Sequence, residues 1–126
     1  MEIEGEVTVD TLKAFLDAFN RHDLDEIMTF FTDDAVFDFP RGSQPWGTRA
    51  QGRNEVRRLL ASRFEGLPDV HYGDDRHFVT QDRGVSEWLL TGTTPAGIHV
   101  RVRGCDLFEF VDGRISRKDS YWKIVE

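Results

Sequence analysis

The stretch I-H-V-R-V-R-G-C-D-L-F-E-F-V, residues 98–111, alternates strictly between two sets of side chains. A period of two marks a strand with one buried face. Val100, Val102, Gly104, Asp106, Phe108 and Phe110 fall on one side, and His99, Arg101, Arg103, Cys105, Leu107 and Glu109 on the other. The first set is apolar except for Asp106, and a carboxylate is costly to keep ionised and unpaired in such a stripe. Three readings account for it. A bulge at Gly104 swings Asp106 outward, Asp106 is a paired structural residue, or it is a functional carboxylate perturbed by burial.

The rest of the chain supplies elements to pack against that strand. Residues 1–7 read as a loose polar leader. Leu12, Phe15, Leu16 and Phe19 then recur at helical spacing behind Thr8 or Asp10 as N-cap. Asp23, with Glu26 three residues on, opens a second helix carrying Leu24, Ile27, Met28 and Phe31. Thr32-Asp33-Asp34 reads as a turn, Ala35 to Phe39 as a short strand ended by Pro40, and residues 41–51 as a loop holding Trp46. A third helix with Val56, Leu59, Leu60 and Phe64 inward stops at Gly66 and Pro68. Four strands follow in a meander: residues 70–79, 85–92, 98–111 and 115–125. Asp112-Gly113 is a two-residue hairpin turn. Helices grouped ahead of strands define an α+β class, with the helices covering one face of an antiparallel sheet and a pocket at one end of the shared interior.

Composition narrows the class further. A chain of 126 residues reads as one domain spanning 1–126, and ten Phe in a 39% hydrophobic sequence describe an aromatic-rich core. A net charge of −7 argues against nucleic-acid or anionic-membrane partners. The single Cys105 forms no internal disulfide and fits a reducing compartment. The acidic start M-E-I-E-G-E is unlike a signal peptide, and no apolar run is long enough to span a bilayer, so a soluble cytoplasmic protein is expected.

The segment F-F-T-D-D-A-V-F-D-F-P (Phe30 to Pro40), the G-R-I after the hairpin (Gly113 to Ile115) and the Y-W near the end (Tyr121, Trp122) resemble the nuclear transport factor 2-like superfamily. Within it the chain is similar to the ketosteroid isomerase and SnoaL-like polyketide cyclase branches, in element order from Leu12 to Trp122. The resemblance implies a cone-shaped fold, three N-terminal helices packed on a curved antiparallel β-sheet enclosing a deep apolar pocket, and a homodimer formed through the outer face of the sheet. It does not imply one reaction, because the fold hosts isomerases, dehydratases, cyclases, epoxide hydrolases and non-catalytic binding proteins. The isomerases' oxyanion-donating tyrosine matches Phe15, and their aspartate base matches Phe39, with Asp38 one position off and facing away. Their second oxyanion donor, a carboxylic acid kept neutral in an apolar site, matches Asp106. The aspartate that limonene epoxide hydrolase-like relatives carry in the last strand matches Ser120. Ketosteroid isomerisation is therefore disfavoured.

Further candidates come from alternation. Ser116, Lys118, Ser120 and Trp122 share a face of the last strand, which the family alignment turns inward. Lys118 then pairs with Asp106 and keeps it ionised, or stands solvated at the pocket mouth. Glu87 shares a face with Val85 and Leu89, opposite Ser86, Trp88 and Leu90. Outward it pairs with Arg101 or Arg103; inward it is a second carboxylate beside Asp106. His71 and His77 are too far apart along a strand to share a metal, whereas His77 alone suits a pocket acid or base. Trp46, Phe15, Phe39, Trp88 and Trp122 are candidate walls. The function expected is proton transfer (isomerisation, dehydration or aldol-type cyclisation) on a small hydrophobic carbonyl compound. Asp106 is central, with His77, Glu87 and Lys118 as partners and Ser120 in the binding wall, and no metal or organic cofactor is required. A non-catalytic binding or dimerisation module is the alternative.

Overall fold

The computed structural model describes residues 6–126 of the chain. Helix α1 (Val9–Asn20) begins at Thr8, whose hydroxyl accepts from the Thr11 N–H while the Thr11 hydroxyl accepts from the Thr8 N–H. That reciprocal cap satisfies two amides left open by the first turn. Its stripe Leu12, Phe15, Leu16 and Phe19 is buried. Asp23 caps α2 (Leu24–Thr29) by accepting from the Glu26 N–H, and α3 (Arg53–Gly66) follows later, burying Val56 and Leu60. Val7, read as part of the leader, is instead buried with the core, and residues 1–5 of that leader lie outside the described residues.

The strands β1 (Phe31–Gln44), β2 (Gly47–Gln51), β3 (His71–Thr80), β4 (Arg83–Thr93), β5 (His99–Val111) and β6 (Arg114–Trp122) form one open sheet in the order β2-β1-β6-β5-β4-β3. Helix α1 packs on β3, and α3 packs on β1 and β2, so the helices share one face of the sheet.

Three expectations are corrected here. The supposed loop at residues 41–51 is mostly strand: β1 runs on past Pro40 and turns at Pro45-Trp46 into β2. Gly47, at φ +81, permits this hairpin, because an added Cβ there would lie 1.9 Å from the Phe39 carbonyl oxygen. Thr32-Asp33-Asp34 belongs to β1 rather than to a turn. The sheet is also not wholly antiparallel, since β1 and β6 run parallel, with Phe37 beside Lys118 and Asp38 beside Asp119.

Residue rows run across the sheet. On the helix-facing side, Phe37, Lys118, Phe108 and Gly84 form one row, and Ser120, Asp106, Ser86 and His77 the next. The core beneath the first row is aromatic. Phe15 meets Phe19, Phe30, Phe31 and Phe108 edge-on at centroid distances of 5.0, 5.3, 5.6 and 5.8 Å. Such pairs contribute about 0.5–1.5 kcal/mol each beyond their buried area.

On the opposite face Asp38 is 0% exposed. It accepts from Arg49 at 2.7 and 3.0 Å and from Arg117 at 3.0 Å, which clasps β2, β1 and β6 together. Burial pushes the carboxyl up, but the two guanidinium groups outweigh it and hold Asp38 below the ordinary aspartate value. Stability from a depressed carboxylate is present above its unfolded value and is lost as pH falls through the lower folded one. Asp38→Asn is therefore expected to cost about 1–3 kcal/mol at neutral pH. Urea unfolding across pH should show a smaller loss on acidification, between about pH 5 and pH 1, than in the unsubstituted chain.

Candidate functional site

Asp106 lies inward, 4% exposed, on a β5 that pairs with β4 residue by residue without interruption. The bulge at Gly104 does not occur. Gly104 serves a different purpose: a Cβ added there would sit 2.5 Å from the Trp88 ring. Trp88 stands opposite Gly104 on β4 and crosses the space its missing side chain leaves. Its indole Nε1 reaches the Asp106 Oδ2 at 3.1 Å.

The other oxygen of the carboxylate faces β6. Lys118 Nζ donates to Asp106 Oδ1 at 3.0 Å and to Ser120 Oγ at 2.8 Å, and the Ser120 hydroxyl donates to the same Oδ1. All three groups are buried, so the pairing reading of Lys118 holds and the solvated one does not. Burial pushes the Lys118 ammonium below the ordinary lysine value of 10.5, and the neighbouring Asp106 only partly offsets it. Lys118 also lies over the Phe37 ring at 4.4 Å and the Phe19 ring at 5.5 Å, contacts that favour the cation.

Lys118 and Ser120, with Asp106 behind them and held by both, border a cavity between helices and sheet, walled also by Phe19, Phe37, Tyr72, Trp88 and Trp122. Its volume is about 10 Å³, room for about one water, rather than the deep pocket the resemblance implies. Two polar residues of this wall were absent from the sequence-based candidates. Tyr72 on β3 meets Trp88 edge-on at 5.0 Å, and burial pushes its hydroxyl well above the ordinary tyrosine value, with Arg63 beside it acting the other way. Arg63 on α3 lies over Phe39 at 4.6 Å and over Trp122 at 4.4 Å. Both carried a signal. Arg63 falls seven residues after Val56 and three after Leu60, on the apolar stripe of its helix, and Tyr72 alternates with Val70.

The remaining candidates are placed elsewhere. His77 is separated from Asp106 by Ser86: its Nδ1 meets the Ser86 hydroxyl at 2.8 Å and its Nε2 the Asp75 carboxylate at 2.6 Å. It does not border the cavity; on β3 that place is taken by Tyr72, five residues back along the strand. Glu87 is on the outer face, level with Cys105 and Arg76, and Arg103 pairs with Asp74 instead. Phe15 belongs to the aromatic core rather than to the cavity wall. Phe39 covers Arg63 from the rim. Trp46, 45% exposed at the hairpin tip, packs under Arg49 at 5.0 Å and walls an outer cleft of about 350 Å³. Asp106, Lys118, Ser120, Trp88 and Trp122 are thus brought together, and His77, Glu87, Phe15 and Trp46 are not. No helix among the described residues is long and apolar enough to cross a membrane.

An open sheet with helices on one face matches known proteins. The family model of the SnoaL-like domain matches residues 12–118, and the chain belongs to this family. A proposed polyketide cyclase from Xanthomonas campestris pv. campestris superposes with a TM-score of 0.78 at 22% identity, over 89% of this chain and 87% of its own. A nuclear transport factor 2-like protein of unknown function from Mesorhizobium loti gives 0.77 at 26% identity, over 98% and 97%. SalBIII, an epoxide hydrolase/cyclase-like enzyme of pyran ring formation in the polyether salinomycin, gives 0.75 at 20% identity, over 90% and 88%. No curated protein matches the chain significantly.

Removing one member of a buried pair strands the other, at a cost of about 3–5 kcal/mol, whereas replacing both is often neutral. Lys118→Met alone should therefore show a loss of that size in urea denaturation. Adding Asp106→Asn, whose amide oxygen accepts from Trp88 while its NH2 donates to the Ser120 hydroxyl, should recover at least half of it.

Proposed function

We propose that the protein is a SnoaL-type cyclase or isomerase that moves a proton on a hydrophobic carbonyl compound without a metal or organic cofactor. The observation that carries this reading is the Asp106–Lys118 pair with Ser120, buried among aromatic rings, in which Lys118 and Ser120 line the interior cavity and Asp106 backs them. A buried ion pair is a poor source of stability, so its place beside an aromatic-walled cavity favours a chemical role. The cyclase and epoxide-cyclase neighbours lend support at the level of fold.

The roles follow from the contacts. Asp106 Oδ1 is occupied by Lys118 and Ser120, while Oδ2 accepts from Trp88 alone among the described residues. Oδ2 thus keeps a lone pair with which to take an acidic proton next to the substrate carbonyl. Negative charge then develops on the carbonyl oxygen. Lys118, which keeps a third N–H beyond those given to Asp106 and Ser120, stabilises it, with the Tyr72 hydroxyl as a further donor. The lowered Lys118 value makes its ammonium the better proton donor to the resulting enolate. The chain works as a homodimer in this reading. Phe78, Leu107 and Tyr121, at 58%, 41% and 53% exposure, lie on the sheet face away from the helices and supply an apolar surface for it.

A second reading, a binding module without catalysis, is favoured by the small cavity and by Phe15 and Phe39 at the positions of the isomerase tyrosine and base. Deuterium wash-in separates the two. Aryl ketones and β-keto esters incubated with the protein in D2O should exchange their α-protons faster than in buffer, as read by NMR. Asp106→Asn should reduce that exchange at least a hundredfold while circular dichroism stays unchanged. The exchange should also decline on the alkaline side below pH 10.5, as Lys118 loses its proton. Compounds that bind without exchanging would select the binding module.

A further inference from the structure

The charges around the cavity do not cancel. Lys118 is matched by Asp106 at 3.0 Å. Arg63 borders the same cavity, yet no carboxylate among the described residues lies within 4.0 Å of it. Its documented neighbours are the Phe39 and Trp122 rings and the Tyr72 hydroxyl. Aromatic faces attract a guanidinium without neutralising it. By contrast, the arginines on the outer face of β2 and β6 are matched: Arg49 by Asp38, and Arg117 by Asp38, Glu109 and Asp119. The interior therefore holds one more cation than anion, on a side chain built to grip a planar carboxylate through two N–H donors.

We infer that the compound taken up by this site is an organic anion, a carboxylate or an acidic enol attached to an apolar or aromatic body, whose negative group pairs with Arg63. The inference rests on the small-molecule reading above and adds the charge of the substrate to it. With the anion on Arg63, the apolar body lies against the aromatic wall and the reacting carbonyl is presented to Lys118 and Asp106. Room comes from Trp122. This side chain, with Pro40 and Ser120, walls both the interior cavity and the outer cleft of about 350 Å³. Displacing its ring joins the two into a volume within the range of small-molecule sites. Arg41 and Arg63 both lie over that ring, at 5.6 and 4.4 Å, so an anion that captures Arg63 also weakens what holds Trp122 in place.

The test compares 2-naphthoate with its neutral isostere 2-naphthamide, titrated by calorimetry and by the fluorescence of Trp88 and Trp122. The acid should bind about tenfold or more tightly than the amide to the unsubstituted protein. Arg63→Met, which keeps an unbranched stem against Phe39 and Trp122, should bring the ratio close to one. Arg63→Lys should retain part of it. Equal binding of acid and amide, or a preference that survives in Arg63→Met, overturns the anion inference and leaves a small-molecule site standing. Binding of neither compound overturns both. If circular dichroism shows that Arg63→Met does not fold, the acid-to-amide ratios of the unsubstituted protein and of Arg63→Lys decide.

Discussion

A single carboxylate, Asp106, must be satisfied out of reach of bulk water, and much of the sheet's interior is arranged around that need. Its donors come from both neighbouring strands: Trp88 from β4, and Lys118 and Ser120 from β6. Each donor brings a further constraint. Trp88 reaches the carboxylate only because Gly104 carries no side chain, and Lys118 is accepted only because Phe37 and Phe19 present ring faces to it. Low dielectric makes a satisfied network of this kind rigid and a partly satisfied one costly.

The sheet carries a second buried carboxylate on its other face, and the contrast is informative. Asp38 is held by two arginines whose own side chains are 41% and 38% exposed. It therefore acts as a clasp between strands with its counter-charges still in contact with water. Asp106 has a counter-charge, Lys118, that is itself buried and that lines a cavity together with Arg63. The same residue type is thus paired at the solvent boundary on one face and in the dry interior on the other, and the difference lies in where the partners keep their hydration.

Much of this was readable from residues alone. The inward facing of Asp106, Phe108 and Phe110 followed from alternation, and the two N-terminal helices followed from their caps and apolar spacing. The pairing of Lys118 with Asp106 was one of two open readings, since alternation places a side chain on a face but does not set its depth. The hairpin at Pro45-Trp46 was missed because Pro and Gly punctuate loops and hairpins alike, and local turn chemistry does not reveal that a strand resumes beyond. Glu87, left open between the two faces, and His77, read as a pocket residue, were unresolved for different reasons. Glu87 lies on a strand with apolar residues on both faces, so alternation could not orient it. His77 does face inward, but the cross-strand register, invisible locally, places it beyond Ser86 and away from the cavity that Tyr72 of the same strand reaches. Arg63 was overlooked because a charged residue on a helix is ordinarily read as solvated, even when its position on the apolar stripe points inward.

The parallel pairing of β1 with β6 has a consequence for how the fold is assembled. Asp38 and Arg117, which meet across that seam, are 79 residues apart in the chain. A meander such as β3 through β6 can zip up hairpin by hairpin, but this seam demands a long loop closure before any contact rewards it. On a ribosome, β1 and its hairpin partner therefore wait with one edge bare until the final strand has emerged. The guanidinium of Arg117, reaching the already formed Asp38–Arg49 pair, is then the latch that closes the sheet.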